Sequence, residues 1–326
     1  MLIPPTRRNG PTTSSFTSSR GRKFITIVSA VAASIIYYRC GIASSYVRQR
    51  SERGTSNTIV RHRMSNQDNK VLIQECPANR TLAINEATSS LEGFINATLH
   101  SLSQASIDIT GSDRPITHLA TNYNKYKTVN HGFWAEFGVY NGSTLTMAYN
   151  QLVGQQSEFN GVLAGFDSFA GLPEKWRGRF DKGAFATQYE TVRESVPESV
   201  ELYKGWFHDT ILDFKAKHRN VPAAVIHHDG DLFLSTTITL QLLDDRIVPG
   251  THMIFDELIG YPGYEGHEIM ALWLWMNQQN ATLCAMGHAG IIGDITSWRN
   301  PRRDNAFKQQ SAWFQVLSRN GESRQE

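Results

Sequence analysis

The sequence has few cysteines, and this limits the kinds of covalent or metal-held fold it can adopt. Its three cysteines, Cys40, Cys76 and Cys284, are far apart along the chain and odd in number. A disulfide framework or a zinc cluster usually needs more thiols at closer spacing. We therefore predict neither, and the cysteines alone do not indicate a redox compartment.

Negative charge is almost missing from the N-terminal region. Residues 1–63 contain eleven Lys or Arg and a single acid, Glu52, although the formal net charge of the whole chain is only +2. This basic stretch is rich in Ser, Thr and Arg, whereas a nucleic-acid-binding protein would carry its basic patch on the folded domain. We therefore expect no nucleic-acid partner.

The N-terminal region also lacks a full-length membrane-spanning run. The apolar run Phe24–Tyr38 has fifteen residues before Arg39, whereas a transmembrane helix needs about 20. If Arg39 reached the lipid headgroups, the helix could extend and form a single-pass anchor with a cytosolic N-terminus. An Arg- and Ser-rich leader without acids is equally typical of a cleaved organelle-targeting peptide. Two locations are thus predicted, in a membrane or in an organelle after cleavage.

Composition and periodicity divide the chain into four segments. Residues 1–50 form the basic leader, and residues 51–80 are a polar linker dominated by Ser, Arg, Asn and Gln. Apolar residues at helical spacing predict a helical N-terminal cap over residues 81–129. Short apolar strands alternate with helical stretches over residues 130–318, which predicts one α/β domain there.

The predicted fold of this domain is a doubly wound, mostly parallel, seven-stranded sheet. We predict its first five strands at Phe133–Val139, Gly161–Phe166, Val200–Tyr203, Ala223–His228 and Thr251–Phe255. The last two, at Ala281–Met286 and Gly290–Thr296, would form an antiparallel hairpin at the sheet edge. Open α/β sheets bind ligands at the C-terminal ends of their strands, so we expect the functional site there.

The first two strands end in residues suited to holding a nucleoside. Gly138 and Gly142 flank a tight turn after the first strand, where backbone N–H groups can face a ligand. Asp167 follows the second strand, about thirty residues after Glu136, where an acid can hydrogen-bond ribose hydroxyls. In the alternative interpretation, Asp167 only caps the following turn with its side chain.

Acidic residues follow the fourth and fifth strands. Asp229 and Asp231 belong to one Asp-Gly-Asp motif, and Asp256 and Glu257 follow the next strand. Neighbouring strand ends would bring these carboxylates together, and Mg²⁺ prefers oxygen ligands. Capping of the next helix is an alternative for Glu257, but it is a strained explanation for the three aspartates together. His267, in a flexible segment, is either an alternative base or an exposed loop histidine.

Five motifs, in order, resemble one family of enzymes. Over about residues 130–278 they read WAEFGVYNGSTL, GFDSFAGLPEKW, LYKGWFHDTI, HHDGDLFLSTTITLQLL and GTHMIFDELIGYPGYEGHE. They resemble the class I S-adenosylmethionine-dependent methyltransferases, and within these the macrocin O-methyltransferase group. The leader and residues 40–110 have no counterpart in that group.

The resemblance implies a cofactor, S-adenosylmethionine, and a metal ion, Mg²⁺. It implies that the cofactor is held by Glu136, Gly138, Asn141, Ser143, Asp167, Ser168, Gly205 and Trp206. It also implies magnesium ligands at Asp229, Asp256 and Glu257, with Asp231 as the catalytic base and His267 as the alternative base. The best-matching metal-dependent members have Asp-Asp where this chain has Asp256-Glu257.

The predicted function is O-methylation of a hydroxyl on a sugar or another small molecule. A neutral hydroxyl is a poor nucleophile until a base removes its proton or a metal lowers its pKa. The alternative function is a membrane-anchored glycosyltransferase that binds a metal through Asp229-Gly230-Asp231. A nicotinamide-dependent oxidoreductase would need a fuller glycine fingerprint than EFGVYNG. A binding protein without activity and a homo-oligomer both stay open.

Overall fold

In the computed structural model, the residues described are 75–105, 114–126, 129–154, 157–289 and 310–320. The basic leader and the apolar run Phe24–Tyr38 lie outside these residues. Within them, no helix is long and apolar enough to cross a membrane. The longest, Leu91–Ser103, has 13 residues, whereas spanning the bilayer core takes about 20. The prediction that the chain lies in a membrane, or in an organelle after cleavage of its leader, is corrected on this finding.

In the part of the chain that the structure describes, eight strands form one mixed sheet. They are β1 (Thr81–Ala83), β2 (Phe133–Phe137), β3 (Leu163–Asp167), β4 (Glu201–Lys204), β5 (Ala223–His228), β6 (His252–Phe255), β7 (Thr282–His288) and β8 (Ala312–Ser318), in the order β1-β7-β8-β6-β5-β2-β3-β4. All neighbouring pairs from β4 to β6 are parallel. The predicted fold class is confirmed, with one strand more than expected.

The antiparallel part of the sheet differs in detail from the prediction. β8 lies between β6 and β7 and is antiparallel to both, and β1 adds to the sheet as an antiparallel edge strand. The range predicted for the last strand, Gly290–Thr296, lies outside the described residues. The partner of β7 is instead a segment more than twenty residues further along the chain, so no tight turn marks the pairing in the sequence.

Among the described residues, seven α-helices cover the two faces of the sheet. They are α1 (Leu91–Ser103), α2 (Pro115–Thr121), α3 (Ser143–Leu152), α4 (Tyr189–Ser195), α5 (Phe207–Lys217), α6 (Phe233–Leu242) and α7 (Glu268–Gln279). α1, α5, α6 and α7 contribute to one hydrophobic cluster, and α2, α3 and α4 contribute to the other. Alternate residues of β2 enter the two clusters, Phe133 on one side and Trp134 on the other. The sheet is therefore covered on both faces, as in doubly wound folds.

A disulfide ties the N-terminal part of the described chain to the sheet. Cys76 and Cys284 are bonded, with their Cα atoms 5.8 Å apart and a sequence separation of 208. The number and spacing of the cysteines did not indicate this single bond. The pairing depends on the tertiary structure, because β1 lies beside β7 with Thr81 opposite Cys284, and cysteine spacing along the chain carries no sign of this.

Register in the parallel strands brings their C-terminal ends to one edge. Phe137 of β2 pairs with both Phe166 of β3 and His228 of β5, and His228 pairs with Phe255 of β6. Backbone hydrogen bonds continue this row past the strand ends. Three residues after strands donate to neighbouring strands, at distances of 2.9–3.0 Å: Gly138, Asp229 and Asp256. The motifs that follow four strands therefore meet at this edge.

Candidate active site

A cavity of about 720 Å³ opens at the C-terminal edge of the sheet. Eleven of the thirteen side chains predicted for the site line it: Glu136, Gly138, Asn141, Ser143, Asp167, Ser168, Trp206, Asp229, Asp231, Asp256 and Glu257. The other two, Gly205 and His267, do not. The structure thus brings the predicted cofactor residues and the predicted metal residues into one cavity, although they are spread over more than a hundred positions of sequence.

The glycine turn after β2 is shaped by close backbone approach. Gly138 has φ +104°, and a Cβ atom there would lie 1.8 Å from the backbone oxygen of Asp229. A side chain at this position would therefore push apart the loops after β2 and β5. At the other end of the turn, Asn141 accepts a hydrogen bond from the backbone N–H of Ser143, 3.1 Å away, which orders the start of α3.

Asp167 holds the same turn from β3. One carboxylate oxygen accepts hydrogen bonds from the backbone N–H groups of Val139 and Tyr140, at 2.9 and 2.8 Å. The other accepts from Phe169 N–H at 2.6 Å, which is the turn-capping bond considered from the sequence. Asp167 also lines the cavity, and a carboxylate oxygen can accept more than one hydrogen bond. The capping role is therefore compatible with contact to a ligand.

Three carboxylates form a tight acidic cluster. One oxygen each from Asp229, Asp231 and Glu257 lies within 4.8 Å of the others. Burial, and then the charge of Asp256, raise the pKa of both Asp229 and Glu257 well above the usual range. Burial and neighbouring acids raise the pKa of Asp231 to about 8. Buried oxygen ligands that repel one another are a donor set that a divalent cation would stabilise.

Asp231 also has an unusual backbone conformation. Its φ is +61°, in the left-handed region that costs a residue with a side chain conformational energy. Such strained positions concentrate at functional sites, where the surrounding structure holds them. The strain here accompanies a residue that is only 7% exposed and whose carboxylate lies within the acidic cluster.

Asp256, predicted as a metal ligand, lies outside this close group of three. Both of its oxygens accept hydrogen bonds from Arg114 Nη1, at 3.2 and 3.0 Å. Burial alone would raise the pKa of Asp256, but His227 and Arg114 lower it. Asp256 is therefore an ionised carboxylate neutralised by a guanidinium. Arg114 was not predicted from the sequence, because no motif accompanies it.

His227 connects Asp256 to the cofactor strand. Its Nδ1 lies 3.2 Å from Glu136 Oε2, and its Nε2 lies 3.8 Å from Asp256 Oδ1, which is an ion-pair distance. Burial alone would lower the pKa of His227, but the carboxylates of Asp256 and Glu136 raise it to about 10. Acidic and basic groups therefore alternate along a row that runs from the buried Glu136, His227 and Asp256 to the partly exposed Arg114.

His267 and Gly205 are the predicted site residues that the cavity does not include. The His267 ring lies 6.1 Å from the Tyr261 ring, centroid to centroid. Burial, assisted by the charge of Arg177, lowers the pKa of His267 to about 4, so its ring is neutral at pH 7. Gly205 donates its backbone N–H to Asp167 O at 2.9 Å and so supports the loop after β3.

Exposed apolar side chains border the cavity. Of the five large hydrophobic side chains exposed among the described residues, four line it: Tyr140, Phe185, Trp206 and Leu234. Tyr140 and Phe185 pack edge to face with ring centroids 5.9 Å apart. Exposed apolar groups gathered at a cavity mark a binding surface. Only Trp206 was predicted, because a single apolar residue in a loop carries no periodic signal.

Comparison with known proteins identifies related sequences. The family model described as Macrocin-O-methyltransferase (TylF) matches residues 103–267, about half of the chain. A Streptomyces olivaceus protein, 8-demethyl-8-(2,3-dimethoxy-alpha-L-rhamnosyl)-tetracenomycin-C 4'-O-methyltransferase, is 33% identical over 107 residues. That alignment covers 28% of this chain and 40% of the relative, so the match spans less than half of the relative's length.

Solved structures with a similar fold include three methyltransferases. The O-methyltransferase NovP has a TM-score of 0.43 and 19% identity, covering 62% of this chain and 78% of NovP. The calicheamicin methyltransferase CalS11 has a TM-score of 0.41 and 19% identity, covering 56% and 72%. A Bacillus cereus O-methyltransferase has a TM-score of 0.39 and 10% identity, covering 71% and 91%.

Proposed function

Because this chain belongs to the macrocin O-methyltransferase family of S-adenosylmethionine-dependent methyltransferases, we propose that it methylates a hydroxyl group of a sugar or a sugar-linked small molecule. The observation that carries this proposal is the single cavity in which the loops after β2 and β3 meet the acids after β5 and β6. Methyl transfer needs this arrangement, because the methyl donor and the activated hydroxyl must be held in line. We assign the core of the catalytic domain to residues 130–318, to which residues 81–129 add the edge strand β1 and the helices α1 and α2.

The cofactor residues fit one end of this cavity. We propose that Glu136, Gly138 and Ser143 contact the methionine part of S-adenosylmethionine, because they lie where β2 passes into α3. Asp167 would accept hydrogen bonds from the ribose hydroxyls, and the exposed indole of Trp206 would pack on the adenine. When bound, the cofactor supplies a methyl group on a positively charged sulfur.

The acidic cluster fits a magnesium ion. We propose that Asp229, Asp231 and Glu257 hold it, since their oxygens approach one another while Asp256 is paired with Arg114. Mg²⁺ bound there would polarise the acceptor hydroxyl and lower its pKa. The proton would leave to a carboxylate of the cluster, and Asp231 is the member that we assign to accept it. His267, outside the cavity, is not needed for this step.

The acceptor is assigned from the rim of the cavity and from the relatives. The curated relative acts, by its name, on a rhamnosyl group of a tetracenomycin. Besides Trp206, which is assigned to the adenine, the rim has Tyr140, Phe185 and Leu234, and these offer apolar and aromatic surface for the flat face of a sugar or for an attached aglycone. A glycoside with an apolar aglycone is therefore the acceptor class that we propose.

The proposal can be tested by direct product analysis. The purified chain would be incubated with S-adenosylmethionine, Mg²⁺ and a panel of rhamnosides and other glycosides, and mass spectrometry would detect products heavier by one methylene unit. Calorimetry would compare S-adenosylhomocysteine with nucleotide sugars. Binding of nucleotide sugars alone would overturn the proposal in favour of the glycosyltransferase.

A further inference from the structure

Arg114 lies between Asp256 and the first turn of α3, which are two parts of the cavity wall. Its Nη1 donates to both carboxylate oxygens of Asp256, and its Nη2 lies 3.3 Å from Thr144 Oγ1 in the first turn of α3. The Arg114 side chain is 31% exposed, whereas that of Asp256 is 5% exposed. The guanidinium therefore lies at the wall of the cavity and lines it, rather than being enclosed behind it.

The charge of the cavity makes this position distinctive. Within the part of the chain that the structure describes, the residues lining the cavity include Arg114 as their only Arg or Lys. The same lining contains seven acids: Glu136, Asp167, Glu174, Asp229, Asp231, Asp256 and Glu257. An anionic group of a ligand would be repelled along most of this wall. Beside Arg114 it would meet a cation.

We propose that Arg114 binds the carboxylate of the cofactor's amino-acid end, an inference that rests on the proposed function. S-adenosylmethionine carries a sulfonium, an ammonium and a carboxylate, and the first two suit an acidic wall. Of the Arg and Lys side chains, only the Arg114 guanidinium lines the cavity within the described residues, and a guanidinium forms paired hydrogen bonds with carboxylates. Arg114 lies beside Thr144 and shares the cavity wall with Glu136 and Ser143, which are assigned to the methionine part.

The bond to Asp256 prepares Arg114 for this role. A buried carboxylate on one side fixes the guanidinium, so little side-chain freedom is lost when a second carboxylate binds. The guanidinium has five N–H donors in a rigid plane, which lets one Arg serve two partners. Arg114 is in this account a cofactor-binding residue that selects for an amino-acid end, whereas the ribose and adenine are held elsewhere.

The test compares two ligands that differ in one group. S-adenosylhomocysteine has the carboxylate, and its decarboxylated analogue, S-adenosyl-3-thiopropylamine, keeps the ammonium and lacks the carboxylate. Calorimetry on wild type and Arg114→Gln would measure both affinities. We expect Arg114→Gln to weaken the binding of S-adenosylhomocysteine by about 10- to 100-fold, because a charge-assisted hydrogen bond is lost. The affinity for the analogue should change by less than about threefold.

A second variant separates the loss of a cofactor contact from the effect of leaving Asp256 unpaired. Arg114→Gln leaves Asp256 buried without its cation, so the double variant Arg114→Gln/Asp256→Asn removes that imbalance. We expect the double variant to bind S-adenosylhomocysteine as weakly as the single variant does. Recovery of affinity in the double variant, or an equal loss for both ligands in Arg114→Gln, would overturn the inference. If wild type binds neither ligand, the proposed function itself fails.

Discussion

His227 and Glu136 face each other across the junction of β5 and β2, with His227 Nδ1 and Glu136 Oε2 3.2 Å apart and both side chains enclosed. Glu136 and His227 also lie opposite each other in the register of β2 and β5. This contact connects the strand that begins the cofactor site to the strand that carries the Asp-Gly-Asp motif. A charged pair in the centre of a sheet is costly to break, because either partner left alone is a buried charge.

We expect His227→Phe to lower the free energy of unfolding by about 3–5 kcal/mol, because Glu136 would remain buried without its partner. Urea denaturation followed by circular dichroism would measure it. The matched control is His228→Phe on the same strand. Burial lowers the pKa of His228 to about 3, so this ring is neutral, and it stacks on Phe255 with centroids 4.6 Å apart. Equal losses in the two variants would contradict the prediction.

Asp229→Ala should remove methyl transfer and spare the cofactor. Loss of one carboxylate from the acidic cluster should lower kcat by at least about 100-fold, the scale of acid–base and metal contributions. The Kd for S-adenosylhomocysteine should stay within about threefold of wild type, less than 1 kcal/mol. Initial rates and calorimetry on the same preparation would check both values. Retention of near-normal kcat would refute the placement of the metal.

Asp167→Ala should show the opposite pattern. It removes the acceptor for three backbone N–H groups together with the proposed ribose contact, so we expect S-adenosylhomocysteine to bind at least about tenfold more weakly. Asp167→Asn keeps one acceptor oxygen, so its affinity for S-adenosylhomocysteine should fall by less. Asp213→Ala, an exposed acid on α5, serves as the control. The assignment fails if Asp167→Ala binds like this control.

The disulfide should contribute to stability. Opening the Cys76–Cys284 bond frees a loop of 208 residues in the unfolded chain, and we expect Cys284→Ser to lower the free energy of unfolding by about 2–4 kcal/mol. Denaturation with and without dithiothreitol would measure the effect. The reductant should destabilise wild type and leave the variant unchanged. A variant as stable as oxidised wild type would rule out a stabilising bond.

Glu201 should make stability depend on pH. Burial alone would raise its pKa, but hydrogen bonds from Lys217, Tyr203 and His218 lower it overall. A carboxyl group whose folded pKa is lowered stabilises the fold above its ordinary pKa, near 4.3, and loses this contribution as pH falls through the lowered value. Glu201→Gln should therefore be less stable than wild type at pH 7 by about 1 kcal/mol.

A pH series on Glu201→Gln tests whether ionisation of Glu201 is the cause. Denaturation at a series of pH values should show the difference between Glu201→Gln and wild type shrinking below about pH 4. A constant difference from pH 7 to pH 3 would mean that packing, rather than ionisation, accounts for it.

Local patterns in the sequence determined the parallel strands and the position of the site. Ala223–His228 was predicted with the bounds that the structure gives, and β2, β3 and β6 were placed within two residues at either end. Short apolar runs and the turn residues after them are properties of neighbouring positions, so a sequence displays them. The strand patterns predicted the edge of the sheet at which the site lies, and the family resemblance supplied most of the eleven predicted residues that line the cavity there.

Only the tertiary structure decided the partners of those residues. Arg114 reaches Asp256 across 142 positions, Cys76 reaches Cys284 across 208, and β8 pairs with β6 and β7 without a tight turn. No periodicity connects residues so far apart, because their approach results from how the sheet orders its strands. The sequence thus identified which carboxylates gather at the strand ends, and the fold decided that one of them, Asp256, is neutralised by an arginine.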